Sequence, residues 1–272
     1  MKLVVTDLDG TLLSPEREIS DEAVEVIRQW KEAGGLFSFI TGRPAPGVLG
    51  YMTRAGVNAP MVCCNGAEVV EAAEDGFRIL HREKMGLKGL RTLMEKADEA
   101  GFTVLYYRDG EEYAMRLTKW VSERRKRGRR YPVEERGERF WEETQAQKVN
   151  VMADKGPGGE AIRPLMEQLA SDYEVVIYER YGCEITPKGG GKAQGLKRLA
   201  GILGIPMKEI MAVGDNANDL EMLRVSGLGA AVGNGTSEAK ACADYVCEHA
   251  NTDGVVEAIR RFCLSGPGTE EG

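Results

Sequence analysis

Two carboxylates stand two residues apart in Asp7-Leu8-Asp9-Gly10-Thr11, directly after the short apolar run Lys2–Thr6. If that run is a strand, side-chain alternation points Asp7 and Asp9 the same way. Like charges so placed repel unless a cation or a shared proton relieves them. Mg²⁺ is the natural cation, a hard ion held by one or two carboxylates together with water and phosphate oxygens. Gly10 lets the backbone turn away at once. Thr41-Gly42-Arg43 sets a hydroxyl beside a glycine N–H, a small anion cradle, and Arg43 adds a fork of donors. Alone, that tripeptide is a weak signal and reads by default as a plain loop. Lys192 follows the flexible Gly189-Gly190-Gly191. An ammonium there, at a helix start, can hold a phosphoryl oxygen and neutralise the aspartates; Lys188 is the competing candidate. In Gly214-Asp215-Asn216-Ala217-Asn218-Asp219, Asp215 can complete a cation site begun by Asp7 and Asp9, while Asn218 and Asp219 orient the ligands. The same residues are also ordinary turn formers.

The elements around these groups decide between the readings. Lys2–Thr6, Leu36–Thr41, Pro60–Asn65, Glu209–Gly214, Leu228–Val232 and Tyr245–Cys247 are short apolar runs that read as strands. Between them, Ser20–Ala33, Lys192–Leu203, Asn218–Val225 and Ser237–Ala243 read as helices. Such alternation with near-continuous apolar strands predicts an α/β, Rossmann-like parallel sheet with helices on both faces. The candidate residues then sit at strand tips on the one sheet edge where α/β proteins bind ligands. The stretch from about His81 to Pro187 differs. Phe102–Tyr107, Gln147–Ala153 and Tyr173–Tyr178 look like strands, with helical Leu87–Ala100 and Gly159–Ala170 between them. It reads as an α+β module inserted into the α/β domain, which assigns 1–81 and 187–264 to a discontinuous core and 82–186 to the insert. Residues 265–272 have little to bury and are expected to be disordered.

The ordered set Asp/Asp, Thr, Lys and Gly-Asp-x-x-Asn-Asp resembles the haloacid dehalogenase superfamily of phosphotransferases. It is most similar to the Cof-type (class IIB) branch, whose pattern also fits Thr41–Arg43, Asn65–Ala67, Gly233–Thr236 and Asn251–Val255. The likeness runs from Lys2 to about Phe262. The insert matches only in length, placement and its lead-in to Lys192, and Gly189-Gly190-Gly191 stands where the branch usually carries bulkier residues. The resemblance implies that Asp7 is the nucleophile forming an aspartyl-phosphate and that Asp9 is the general acid, then the base. It implies Mg²⁺ held by the Asp7 side chain, the Asp9 backbone carbonyl and Asp215. Phosphoryl oxygens would be bound by the Leu8 N–H, Thr41, Gly42, Lys192 and Asn218, with Asp219 orienting a metal-bound water or Lys192 from behind. Arg43 would serve as a further substrate contact. The insert would be a cap that excludes water and reads the leaving group, with Arg108, Arg116, Tyr181 and the basic run 124–130 as candidate contacts.

The function so implied is a Mg²⁺-dependent phosphatase of small phosphorylated metabolites, sugar phosphates or phosphorylated cofactors. The alternatives are a phosphomutase, which returns the phosphoryl group to substrate, and a phosphorylation switch, which the closeness of Asp9 to Asp7 disfavours.

Composition narrows the remaining classes. The 272 residues carry 36 Lys+Arg against 43 Asp+Glu, a formal net charge of −7, which speaks against a protein that coats nucleic acid or an anionic membrane. Arg124, Arg125, Lys126, Arg127, Arg129 and Arg130 form one basic run, flanked by glutamates and so best read as a solvated face. The first apolar run is too short for a signal-peptide core, and no stretch suits a membrane span. The 6 cysteines lack disulfide or zinc spacing and read as reduced thiols. A cytoplasmic enzyme is expected, without nucleic-acid or membrane partners.

Overall fold

The computed structural model describes residues 1–74, 76–152, 159–178 and 182–264. The chain divides into two compact units, Met1–His81 with Gly191–Gly272, and Arg82–Gly190. In chain order the first unit holds β1 (Leu3–Thr6), α1 (Asp21–Glu32), β2 (Leu36–Phe39), α2 (Leu49–Ala55), β3 (Met61–Cys63), β4 (Glu68–Ala73) and β5 (Gly76–Arg82). The second holds β6 (Met85–Gly86), α3 (Arg91–Glu99), β7 (Thr103–Arg108), β8 (Glu111–Ala114), α4 (Lys119–Lys126) and α5 (Glu138–Glu143). It continues with β9 (Gln145–Ala146), β10 (Lys148–Met152), α6 (Gly159–Leu169), β11 (Tyr173–Tyr178) and β12 (Gly182–Pro187). The chain then returns to the first unit with α7 (Lys192–Leu203), β13 (Ile210–Gly214), α8 (Leu220–Val225), β14 (Leu228–Ala231), α9 (Ser237–Cys242), β15 (Tyr245–Val246) and α10 (Asn251–Ile259).

The first unit is built on a five-stranded sheet in the order β15-β14-β13-β1-β2, with every pairing parallel. Its strands are apolar on both faces, and alternation sorts them into two cores. Val4, Phe37, Phe39, Met211 and Val213 pack with Val26, Ile27 and Trp30 of α1 and Val255 and Ile259 of α10. Leu3, Val5, Ile210 and Ala212 pack with Leu196 and Leu199 of α7 and Met222 and Leu223 of α8. Ser20 starts α1 by accepting the Ala23 N–H at 3.1 Å. The register pairs Thr6 with Val213 on one side and Phe39 on the other. Asp7 therefore leaves the sheet level with Gly214, between the tips of its two neighbours.

The expected third strand, Pro60–Asn65, is shorter and is not a full member of the parallel sheet. β3 pairs antiparallel with β4, and one parallel bridge from Ile40 to Val62 attaches it beside β2. Cys64 (φ 51) and Asn65 (φ 48) adopt the left-handed region, which turns the chain back into β4. The expected helix Asn218–Val225 opens as a tighter 3₁₀ turn over Ala217–Asp219 before α8.

The second unit has its own antiparallel sheet, β11-β12-β10-β7-β8, in which β8 and β12 join the three strands expected from sequence. Val104, Tyr106, Val149, Val151 and Ile185 pack with Leu93, Met94 and Ala97 of α3 and Ile162 and Met166 of α6. The division between units falls after Gly190, beyond the expected boundary at 187. β12 runs through Pro187, and the Gly190 N–H closes a turn on the Pro187 carbonyl at 2.9 Å, so these residues stay with the sheet they end. Ala153, Tyr181 and the expected tail 265–272 lie outside the described residues. Among the described residues no helix is long and apolar enough to cross a membrane. The six cysteines are free thiols, and Cys63, Cys64, Cys183 and Cys247 are buried.

Candidate active site

β1 ends at Thr6, and the chain coils immediately. The Asp7 N–H still continues the ladder to the Val213 carbonyl at 3.0 Å, but Thr11 and Leu13 donate back to the Leu8 carbonyl at 3.3 and 2.9 Å. Strand alternation has therefore lapsed by Asp9. Asp7 is buried, whereas Asp9 is exposed and turns to Arg43, which donates from Nε to Oδ2 at 2.7 Å and from Nη2 to Oδ1 at 2.5 Å. The expectation that the two carboxylates point the same way is thus corrected. A turn, not an extended strand, carries Asp9.

The partner of Asp7 comes from α7. Lys192 Nζ lies 2.8 Å from Asp7 Oδ1 and 2.6 Å from Asp219 Oδ1, with its side chain fully buried. Gly191 (φ 82) makes this entry possible, and a Cβ on Gly66 would stand 2.2 Å from the Gly191 carbonyl oxygen. Gly191 and Gly66 thus let α7 start close against the Gly66 turn, and Lys192 reaches the aspartates. The competing Lys188 instead donates to the Ala170 carbonyl at 3.0 Å, inside the second unit.

Asp219 faces two ways. Its Oδ1 takes Lys192, and its Oδ2 accepts the N–H groups of Asp215 and Asn216, each at 3.1 Å. It thereby fixes both the ammonium and the loop that presents Asp215. On that loop, Asp215 Oδ1 accepts the Thr11 hydroxyl at 2.6 Å. Thr11 was not among the expected site residues; only its place in the Asp-x-Asp-Gly-Thr run hints at it.

Carboxylate oxygens of Asp7, Asp215 and Asp219 lie within 4.8 Å of one another. The side chain of Asp9 is absent from this cluster. One ammonium faces three carboxylates, and two of them, Asp7 and Asp215, are shifted in protonation. Burial pushes Asp7 up to about 7, with Lys192 pulling it down and Asp219 and Asp215 pushing it up again. Burial likewise takes Asp215 up to about 6, against the Thr11 hydrogen bond that lowers it. For Lys192, burial opposes the charge, but Asp219 and Asp7 outweigh it and hold the ammonium above the ordinary lysine range. Burial would also raise Asp9, yet the Arg43 hydrogen bonds and charge prevail and keep it below the usual carboxylate range. A self-repelling set of hard oxygen donors suits a divalent cation such as Mg²⁺. With both Asp219 oxygens engaged, Asp7 and Asp215 are the carboxylates suited to hold it.

The remaining expected residues line the neighbouring tip. Thr41, just past the bridge residue Ile40, is buried; its N–H donates to Val62 at 2.9 Å and its hydroxyl oxygen accepts the Arg43 N–H at 3.2 Å. Gly42 follows it, half-buried, and Leu8 is buried behind Asp7. Asn65 links this tip to the last loop: its N–H donates to the Thr41 carbonyl at 3.0 Å, and its Oδ1 accepts Asn218 Nδ2 at 3.3 Å. Asn65 is a site neighbour that its tripeptide motif alone does not assign a role. Arg108 pairs with Glu134 at 2.9 Å and Arg116 with Asp98 at 3.0 Å, both within the second unit. In the basic run, Arg124 stacks on Trp120 at 4.4 Å, Arg125 donates to the Tyr131 carbonyl, and Arg130 pairs with Glu111 at 3.5 Å.

Known proteins share this architecture. The haloacid dehalogenase-like hydrolase family matches residues 4–259. The 5-amino-6-(5-phospho-D-ribitylamino)uracil phosphatase YitU of Bacillus subtilis is 26% identical, over 96% of this chain and 97% of its own. The pyridoxal phosphate phosphatase YbhA of Escherichia coli is also 26% identical, over 95% and 97%. A phosphatase of the same superfamily from Bacteroides thetaiotaomicron superposes with a TM-score of 0.77 at 26% identity, covering 97% of this chain and 96% of that one. A subclass IIB sugar phosphatase superposes with a TM-score of 0.79 at 21% identity, over 97% and 100%, and so shares the fold. A match spanning both halves of the parallel-sheet unit and everything inserted between them leaves one assignment: the chain belongs to the haloacid dehalogenase-like hydrolase family and has the fold of its subclass IIB phosphatases.

Proposed function

We propose that this phosphoric monoester hydrolase is a Mg²⁺-dependent phosphatase that cleaves small phosphorylated metabolites, sugar phosphates or phosphorylated cofactors, through an aspartyl-phosphate on Asp7. The observation that carries the reading is the buried Lys192 ammonium, 2.8 Å from Asp7 and 2.6 Å from Asp219, with Asp215 in the same acidic cluster. In the first step an Asp7 oxygen bonds to phosphorus and the ester P–O bond breaks, with the departing alkoxide taking a proton from Asp9. In the second, Asp9 removes a proton from water as the water oxygen attacks phosphorus, and the Asp7–phosphorus bond breaks to release phosphate. The Leu8 and Gly42 N–H groups, Thr41, Lys192 and Asn218 would bind the phosphoryl oxygens. The Asp7 side chain, the Asp9 backbone carbonyl and Asp215 would hold Mg²⁺. When bound, the cation supplies the positive charge that phosphoryl transfer needs on its equatorial oxygens.

These residues grip the group that all phosphoesters share, so the choice among metabolites falls to Arg82–Gly190, the cap in this reading. Full-length relatives named for pyridoxal phosphate and for a phosphoribitylamino uracil support starting with such compounds. The free thiols and the acidic net charge support action in the cytoplasm, without nucleic acid or membrane. The test is phosphate release from a panel of phosphorylated metabolites with Mg²⁺ and with EDTA. Turnover that depends on Mg²⁺ and vanishes in Asp7→Asn supports the reading. Full activity in chelated enzyme, or turnover retained by Asp7→Asn, defeats it.

A further inference from the structure

The turn Gly233–Thr236 has no part in the chemistry above, yet it touches both loops that carry it. Asn234 is exposed, where an asparagine ordinarily turns its amide to water. Here both ends of the amide bind backbone of distant segments. Nδ2 donates to the Gly10 carbonyl at 2.8 Å, and Oδ1 accepts the Asn251 N–H at 2.7 Å. Two residues on, the Thr236 N–H donates to the Asp215 carbonyl at 2.8 Å. One short turn therefore ties the loop after β1 to the loop after β13.

The turn is itself held firmly. Gly233 N–H donates to the His249 carbonyl at 2.7 Å, and Lys240 Nζ donates to the Gly233 carbonyl at 2.6 Å. Thr236 caps α9 by accepting the Ala239 N–H at 3.2 Å. The far anchor is fixed by Glu257, which accepts the N–H groups of Glu248 and His249, each at 3.1 Å, and the Tyr245 hydroxyl at 2.6 Å.

We propose that Asn234 is a positioning residue of the active site, which sets how closely the Gly10 peptide approaches Asp215 and thereby the affinity for the divalent cation. The inference rests on the reading of Asp7 and Asp215 as cation ligands. Its physical basis is the lack of room between the two loops. A Cβ on Gly10 would stand 2.5 Å from Asp215 Oδ2, so the Gly10 backbone already lies against that carboxylate. The Gly10 carbonyl belongs to the same peptide plane as the Thr11 nitrogen, and the Thr11 hydroxyl holds Asp215 Oδ1 at 2.6 Å. Holding that carbonyl fixes both the contact and the hydrogen bond. The Asn234 amide donates to one backbone carbonyl while accepting from a second N–H, which neither a carboxylate nor a methyl group in its place can do.

Asn234→Asp separates the two functions, because it keeps an acceptor for Asn251 but sets a carboxylate against the Gly10 carbonyl; Asn234→Ala removes both. Mg²⁺ binding to the full chain is read by titration calorimetry without substrate, beside the melting temperature of the metal-free protein. Groups that orient metal ligands change metal affinity by about 10- to 100-fold when removed, so Asn234→Asp should weaken Mg²⁺ binding about tenfold or more. The exposed position predicts a metal-free melting temperature close to wild type. Both variants binding Mg²⁺ within about twofold of wild type overturns the proposal alone. So does a melting-temperature loss that is the same with and without Mg²⁺, which marks a purely structural bond. Wild-type protein that takes up no Mg²⁺ overturns the reading of the site, and the proposal with it.

Discussion

Arg43 grips the Asp9 carboxylate with two hydrogen bonds, 2.7 and 2.5 Å long, while its guanidinium lies 4.8 Å from the centre of the Tyr51 ring. A general acid must carry a proton before the leaving group departs, and this grip favours the ionised form. Asp9 is therefore restrained as a carboxylate while Arg43 holds it. An opposite charge this close lowers an aspartate pKa by about 1–3. Arg43→Ala should raise the pH at which turnover of an alkyl phosphate falls off, by about that amount on the pH scale. A pH–rate profile for kcat measures it. An unmoved alkaline limb would remove Asp9 from the acid role.

Asp9→Asn should slow alkyl phosphate hydrolysis by about 10²- to 10⁴-fold, the usual worth of a positioned acid–base group. Single-turnover rates with an aryl and an alkyl phosphate check the assignment. The alkyl ester, whose alkoxide needs the proton more, should lose more. Equal losses would place Asp9 outside leaving-group protonation.

Stability should respond to pH and Mg²⁺ together. Asp7 at about 7 and Asp215 at about 6 stand above the ordinary 3.8. Between those limits the folded, metal-free chain binds more protons than the unfolded chain, so these groups make stability fall as pH rises through that window. Mg²⁺ relieves the ionised pair. Its stabilising shift in melting temperature should be larger at about pH 8 than at about pH 5.5. A shift that is flat or reversed across that range would contradict a cation held by Asp7 and Asp215.

Lys192→Met should cost about 3–5 kcal/mol in urea unfolding at neutral pH, because it leaves Asp7 and Asp219 buried without their ammonium. The loss should shrink on acidification, as the stranded carboxylates protonate. A variant as stable as wild type at neutral pH would mean that the ion triad contributes nothing to folding.

Replacing Arg124, Arg125, Arg127, Arg129 and Arg130 with Ser tests the basic run. Arg124 and Arg130 are already engaged with Trp120 and Glu111; Arg124 is half-buried and the other arginines of the run are exposed. Rates across a panel of phosphoesters should change little and in parallel. A selective fall in kcat/KM for the more anionic esters would make the run a substrate contact.

The apolar runs of β1, β2, β13 and β14 are legible from sequence because a strand buried on both faces needs little but local apolar residues. The acidic and threonine groups past the ends of β1, β2 and β13 are legible for a related reason: a parallel sheet brings strand tips to one edge whatever the loops do. Lys192 instead comes from the start of α7. Side-chain direction is another matter. Asp9 departs from Asp7 because the backbone coils after Thr6, and β3 leaves the parallel sheet because Cys64 and Asn65 reverse the chain. The choice of Lys192 over Lys188, the clasp of Thr11 on Asp215, the link from Asn218 to Asn65 and the hold of Asn234 on Gly10 join residues far apart in the chain. Each depends on distances of a few ångströms set by packing across the whole unit. Residue type and local spacing therefore determined which groups could do the chemistry, while only the tertiary structure decided which of them meet.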